Sequence, residues 1–150
     1  NITIQKATEL GISKFIPILT EYTNQSKINF KNFELNMIEA SEQSERLSIP
    51  TLEKTIKLDD LVDIFPSDRG LVFCDEENEN LPTIYNALIN ETKKYKKWSV
   101  IIGPEGGFSE KERRTISSLS SCISVSLGKR ILRSDTATTA AIFSIQSVIE

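Results

Sequence analysis

The stretch Trp98-Ser99-Val100-Ile101-Ile102-Gly103-Pro104-Glu105-Gly106-Gly107-Phe108-Ser109 decides how the chain is read. Its first part is short, apolar and β-branched, which predicts a buried strand, and its second part is a glycine turn. Ser109 followed by Glu112 gives the capping-box pattern that opens a helix directly after the turn. A second unit of the same kind follows. Cys122, Ile123, Val125 and Leu127 form an apolar run that breaks at Gly128 into Lys129-Arg130-Ile131-Leu132-Arg133-Ser134-Asp135-Thr136-Ala137.

Working outward, Gly70 to Cys74 is a continuous apolar run and predicts a central strand. Phe15-Ile16-Pro17-Ile18-Leu19 predicts one more strand, with Pro17 marking an edge or a strand end. Helices are expected from Ile4 to Leu10 before Gly11, from Phe33 to Leu47, from Leu58 to Phe65 before Pro66, from an opening at Leu81-Pro82-Thr83 through Leu88, and from about Thr136 to Ile149. In the Phe33 to Leu47 helix the buried side would carry Leu35, Ile38, Ala40 and Leu47. In the last helix, Ala137, Ala140, Ala141, Ile145 and Val148 recur at helical spacing. Alternating strands and helices predict an α/β domain over residues 1–150 with a mainly parallel sheet and helices on both faces.

The composition, 39% hydrophobic and 26% charged, describes a soluble globular protein, and no apolar stretch reaches the ~20 residues that span a bilayer. The chain starts at Asn1 already in helical sequence, so it reads as part of a longer protein. A net charge of -3 argues against gripping nucleic acid by bulk charge alone. Between Lys97 and Arg133, however, seven cations face three carboxylates. The acidic run Asp75-Glu76-Glu77 with Glu79 reads as a solvated loop, and Lys93 to Lys97 as a solvated connector. The polar stretch Glu21 to Ser26 sits at a loop position where sites often lie. Cys74 and Cys122 read as buried small hydrophobes of a reducing compartment. With no histidine in the chain, serine-histidine triads, cysteine-histidine dyads and the commonest metal sites are excluded, and no other metal constellation is present.

In open α/β sheets, ligands bind at the loops that leave the C-terminal ends of the strands. Glycines at 103, 106 and 107 suit a chain that bends sharply or approaches a ligand closely. The spacing matches neither the dinucleotide fingerprint nor the phosphate-binding P-loop. In the second loop, Lys129, Arg130 and Arg133 suit phosphate or developing negative charge, while Ile131 and Leu132 would pave an apolar surface. Together these features support a nucleotide-like ligand.

The segments Gln5 to Gly11, Glu39 to Arg46, Gly103 to Ser109 and Leu127 to Ala137 resemble the RsmE family, the 16S ribosomal RNA uridine-N3 methyltransferases of the SPOUT superfamily. The resemblance covers nearly the whole chain. It implies a SPOUT methyltransferase catalytic domain with a C-terminal deep trefoil knot, lacking an N-terminal RNA-binding β-barrel. It implies S-adenosylmethionine as cofactor, held at Phe73, Gly103, Pro104, Glu105, Gly106, Gly107, Leu127, Gly128, Ile131 and Leu132. It also implies 16S rRNA of the small ribosomal subunit as substrate, contacted through Glu9, Arg46, Arg130 and Arg133. Further implications are a cytoplasmic homodimer with the site near its interface, and catalytic roles for Arg133 and Glu105. Arginine keeps its proton, so Arg133 would stabilise charge, while Glu9, Glu105, Asp135 or a water could take the uridine proton. The family usually has glutamate where this chain has Asp135, which leaves a non-catalytic nucleotide-binding or dimerisation module as the alternative.

Overall fold

The computed structural model describes residues 2–22, 28–78 and 80–150. Its elements are α1 (Ile2–Glu9), β1 (Lys14–Phe15), β2 (Ile18–Leu19), α2 (Phe30–Gln43), β3 (Thr51–Leu52), β4 (Ile56–Lys57), α3 (Leu58–Ile64), β5 (Arg69–Cys74), α4 (Ile84–Leu88), β6 (Lys97–Ile101), α5 (Glu110–Ser117), β7 (Cys122–Val125) and α6 (Ser134–Ile149).

The apolar run at β5 is the central strand, with β6 on one side and β7 on the other, both parallel. A parallel neighbour requires a crossover connection, and the helices between these strands supply it. Successive side chains of a strand point to opposite faces. Val72 and Cys74 enter one core with Ile84 and Leu88 of α4, Val125, and Ala141 and Ile145 of α6. Leu71 and Phe73 enter the other with Leu58 of α3, Ile101 and Ile116 of α5. Both faces are thus covered by helices, and the sheet edge where β5, β6 and β7 end is left to loops. Val72, Phe73, Leu88, Ile116 and Val125 are fully buried, each contributing ~1.5–3 kcal/mol.

Five expectations need correction. Phe15 to Leu19 is not one strand: Pro17 separates β1, which pairs with β3, from β2, which pairs with β4, in two small parallel sheets. The second helix starts at Phe30, because the Asn29 side chain accepts the Asn32 N–H at 3.0 Å as its N-cap. It ends at Gln43, and Glu45 follows with φ of 59°, so Leu47 lies beyond the helix and is fully exposed. Its buried side is Asn36, Met37, Ala40 and Ser41, whereas Leu35 and Ile38 are exposed. The last helix begins two residues early, at Ser134.

The fourth and fifth corrections concern the acidic run and the thiols. Asp75 is buried rather than solvated, 9% exposed at the end of β5, while Glu79 lies outside the described residues, as do Thr23 to Ser26 of the polar loop. Both cysteines are free, but Cys122 is only partly buried. Burial pushes the Cys74 thiol up to about 12 with help from Glu76, and raises Cys122 against an opposing Ser124 hydrogen bond. Both shifts disfavour the thiolate form.

Candidate active site

Three loops leave the same sheet edge: the one after β5, the glycine loop after β6 and the basic loop after β7. Parallel pairing therefore brings Gly103 to Gly107 and Leu127 to Arg133 together with the residues that follow Cys74. The glycine loop turns through a hydrogen bond from Gly107 N–H to the Pro104 carbonyl, 2.8 Å, and leaves Glu105 exposed. Ser109 then caps α5 with the full reciprocal box anticipated from sequence, Ser109 Oγ accepting from Glu112 N–H and Glu112 Oε1 accepting from Ser109 N–H.

The glycines divide into two kinds. A Cβ at Gly103 would lie 2.9 Å from the Phe108 ring, and one at Gly106 would lie 3.0 Å from Tyr22 Cβ and 3.2 Å from its carbonyl oxygen. At these two positions the missing side chain permits internal packing, at Gly106 against Tyr22. Gly107 and Gly128 differ, with φ of +75° and +110° and nothing within 4 Å of the position a Cβ would take. Two loops thus present bare left-handed backbone to open space at one sheet edge, the arrangement that close main-chain recognition of a ligand requires.

Phe73, expected near the cofactor, offers this edge its backbone and not its ring. Its ring is fully buried and packs edge-on to Phe108 at 5.6 Å, so its side chain is withdrawn from the site and seats the glycine loop from below. Leu127 is also half-buried against the core, and Leu132 is half-buried, while Ile131 is 93% exposed. Lys129 and Arg130 are exposed. Arg133 ends the loop as the N-cap residue of α6, its guanidinium 89% exposed and 3.7 Å from Asp135 in the first helical turn. A fixed cation and a helix N-terminus there both favour negative charge.

Glu9 and Arg46 are elsewhere in the chain. Arg46 Nη1 donates to the carbonyls of Thr8 and Ile12, both at 2.9 Å, which caps the C-terminal end of α1. Glu9 pairs with Lys6 at 3.9 Å. This end of α1 is tied to α6 through a hydrogen bond from the Gln146 side chain to the Leu10 carbonyl. At 1.5 Å per residue, Gln146 lies about 18 Å along α6 from Ser134. One chain therefore does not bring Glu9 and Arg46 beside Arg130 and Arg133.

Sequence reading missed Asp75. It accepts two hydrogen bonds from Arg113, from Nε and Nη2, each 3.0 Å, and a third from Glu77 N–H. Those bonds hold the Arg113 guanidinium above its ordinary value, against the opposing effect of burial. An acid directly after the last apolar residue of a central strand was the available signal. Among the described residues no cluster of histidine, cysteine, aspartate or glutamate could hold a metal, and no helix is long and apolar enough to cross a membrane.

The profile of a family described as an RNA methyltransferase domain matches residues 1–146. The chain belongs to that family. It is 34% identical over 97% of its length to the ribosomal RNA small subunit methyltransferase E of Rickettsia conorii, and 31% identical over 98% to the one from a Synechocystis species. It spans 58% and 48% of those two relatives. The resemblance carried by the four motifs is thereby borne out. Among solved members, the methyltransferase E of Neisseria gonorrhoeae bound to S-adenosyl methionine superposes with a TM-score of 0.77 at 28% identity, over 97% of this chain and 59% of that one. A Legionella pneumophila structure with the bound cofactor SAM gives 0.82 at 29%, over 97% and 60%. The α/β fold with its parallel sheet is that of these methyltransferases.

Proposed function

We propose that this chain is the catalytic part of an S-adenosylmethionine-dependent methyltransferase acting on N3 of a uridine in 16S rRNA of the small ribosomal subunit. The observation that carries this reading is the open left-handed backbone at Gly107 and Gly128, on the sheet edge that also bears Arg133. Main-chain recognition at such a place suits a compact, bent nucleoside cofactor, and Ile131 and Leu132 suit its adenine ring. In this reading Gly103, Pro104, Glu105, Gly106, Gly107, Leu127, Gly128, Ile131 and Leu132 hold the cofactor in a C-terminal trefoil knot.

When bound, S-adenosylmethionine supplies an electrophilic methyl group. The residues of this chain do the rest by orientation and charge. Arg133, exposed and fixed in charge, stabilises the negative charge that grows on the uracil ring as its N3 proton leaves. Glu105, exposed on the turn at the same edge, takes that proton. Arg130 and Lys129 hold flanking phosphates.

Glu9 and Arg46 belong to the same reading only if a second copy supplies them. In one chain they sit at the far end of α6, so this reading assigns them to the partner's site in a twofold dimer. Ile2 on α1 and Phe143 on α6, 55% and 63% exposed, are the apolar groups such a pairing would cover. The substrate would meet this dimer where ribosomes assemble, in the cytoplasm.

The test is to incubate the protein with small ribosomal subunits lacking the modification and with S-adenosylmethionine, then map the product by nuclease digestion and mass spectrometry. N3-methyluridine at one position is expected. Methylation on carbon or ribose, or none alongside intact cofactor binding, overturns the assignment. Light scattering reads the dimer.

A further inference from the structure

We infer that Glu112 and Arg113, adjacent residues in the first turn of α5, are positioning residues that tie the loops around the proposed cofactor site to one rigid element. The inference rests on the cofactor reading above. Neither residue is assigned contact with cofactor or substrate; each acts through the loop it holds.

Glu112 is 8% exposed, and both of its oxygens are used. Oε1 accepts the Ser109 N–H at 2.9 Å, completing the capping box, and Oε2 accepts the Glu21 N–H at 3.1 Å. A capping box needs only the first of these bonds. The second joins the loop after β2 to the glycine loop, and its effect is visible one residue on, where Tyr22 stands in the space a Gly106 side chain would fill. The carboxylate draws the two loops together and the glycine lets them meet. A buried carboxylate is costly without partners, so the bonds to both loops are strongly favoured.

Arg113 reaches the other way. Its fork grips both oxygens of Asp75, with side-chain exposures of 27% and 9%, and so fixes the start of the loop after β5. The far end of that loop is bonded to the exit of β7 by Ser126 N–H to the Pro82 carbonyl at 2.8 Å. Two consecutive residues of one helical turn therefore connect the exits of β2, β6 and β5, and the backbone bond passes the connection on to β7. A planar guanidinium in a two-bond grip is not replaceable by lysine, which keeps the charge and loses the geometry.

The experiment measures S-adenosylmethionine affinity by calorimetry for the full chain and for Glu112→Gln, Arg113→Lys, Arg113→Ala, Asp75→Asn and the Arg113→Ala/Asp75→Asn pair. Thermal melting without ligand and amide hydrogen exchange at Glu21, Glu77 and Ser109 accompany it. Glu112→Gln should weaken cofactor binding on the order of tenfold, with faster exchange at Glu21 while β5 stays protected. Arg113→Ala and Asp75→Asn should each weaken it to a similar degree, with the pair no worse than either alone. Arg113→Lys, the mildest change, should melt close to the parent and still bind more weakly. Folded variants that bind as tightly as the parent, or lose affinity only in proportion to melting temperature, overturn the inference. A parent chain that does not bind overturns the cofactor reading instead, and unchanged exchange at Glu21 and Glu77 in the variants then refutes the tie by itself.

Discussion

Replacing Gly107 by alanine should cost stability and cofactor affinity through two separable effects. With φ of +75°, an alanine at position 107 is held in the left-handed region, which costs an L-residue ~1–2 kcal/mol. For a domain of this size that lowers the melting temperature by roughly 2–8 °C. No steric cost is added in the free protein, because nothing lies within 4 Å of the new Cβ. The strain is present in both free and bound states and cancels from the affinity. Any change in affinity therefore reports what the methyl meets in the complex. If a cofactor rests on that backbone, it must retreat by on the order of 1 Å, which forfeits a quarter to a half of each van der Waals contact and lengthens its main-chain hydrogen bonds. A loss of tenfold or more, about 1.4 kcal/mol, is expected from calorimetry with S-adenosylmethionine. Gly11→Ala is the control, since Gly11 also has a positive φ, +93°, but sits at the end of α1 beside Gln146. It should melt lower and bind normally. Equal affinities for the two variants would place the cofactor away from Gly107.

Arg133→Ala removes a guanidinium that is 89% exposed, so stability should change by no more than ~0.5 kcal/mol while single-turnover methylation falls about a hundredfold or more; normal methylation would remove Arg133 from the chemistry. Raising the pH should cost stability through Cys74. Its folded value near 12 lies above the ordinary 9.0, so above pH 9 the unfolded chain loses a proton that the native chain keeps, and stability falls with increasing pH. At about 1.4 kcal/mol per unit the loss from Cys74 reaches about 2 kcal/mol by about pH 10.5, and urea titrations should show a steeper limb in the parent than in Cys74→Ala, which keeps only the contribution of Cys122. Ile116→Ala empties a fully buried position between α5 and the sheet and should cost ~2–5 kcal/mol in the same titrations, whereas a loss under ~1 kcal/mol would mean that this face of the sheet is loosely packed.

The parts of the fold legible in sequence are those set locally. The unbroken run Gly70 to Cys74 marks a strand buried on both faces, and Ser109 with Glu112 fixes the start of α5 through atoms three residues apart. The pairs β1 with β3 and β2 with β4 were not legible, because each is only two residues long and is defined by a partner far along the chain. In α2 the apolar residues misled. Asn36 and Ser41 are buried because their side chains donate to the carbonyls of Asn32 and Met37, at 2.8 and 2.7 Å, and so bring their partners with them, while Leu35 and Ile38 face outward. In the candidate site the two loops were found from their glycines and cations. That Gly106 serves Tyr22 while Gly107 stands open depends on backbone dihedrals and on a contact with a residue far away in sequence, which no local pattern encodes.

The order of strands in the sheet also constrains how the molecule comes into being. Leu71 at the centre pairs with Ser99 on one side and Cys122 on the other, so both ladders join segments remote in sequence, and the second partner is synthesised late. Closing such loops costs entropy before any contact is gained, and topologies of this kind fold slowly for their size. Until β7 arrives, one edge of β5 has unpaired N–H and carbonyl groups beside the exposed apolar side chains of two unfinished cores, a surface prone to association. The nascent chain is therefore most vulnerable to misassembly after β6 has emerged and before β7, the basic loop and α6 are in place.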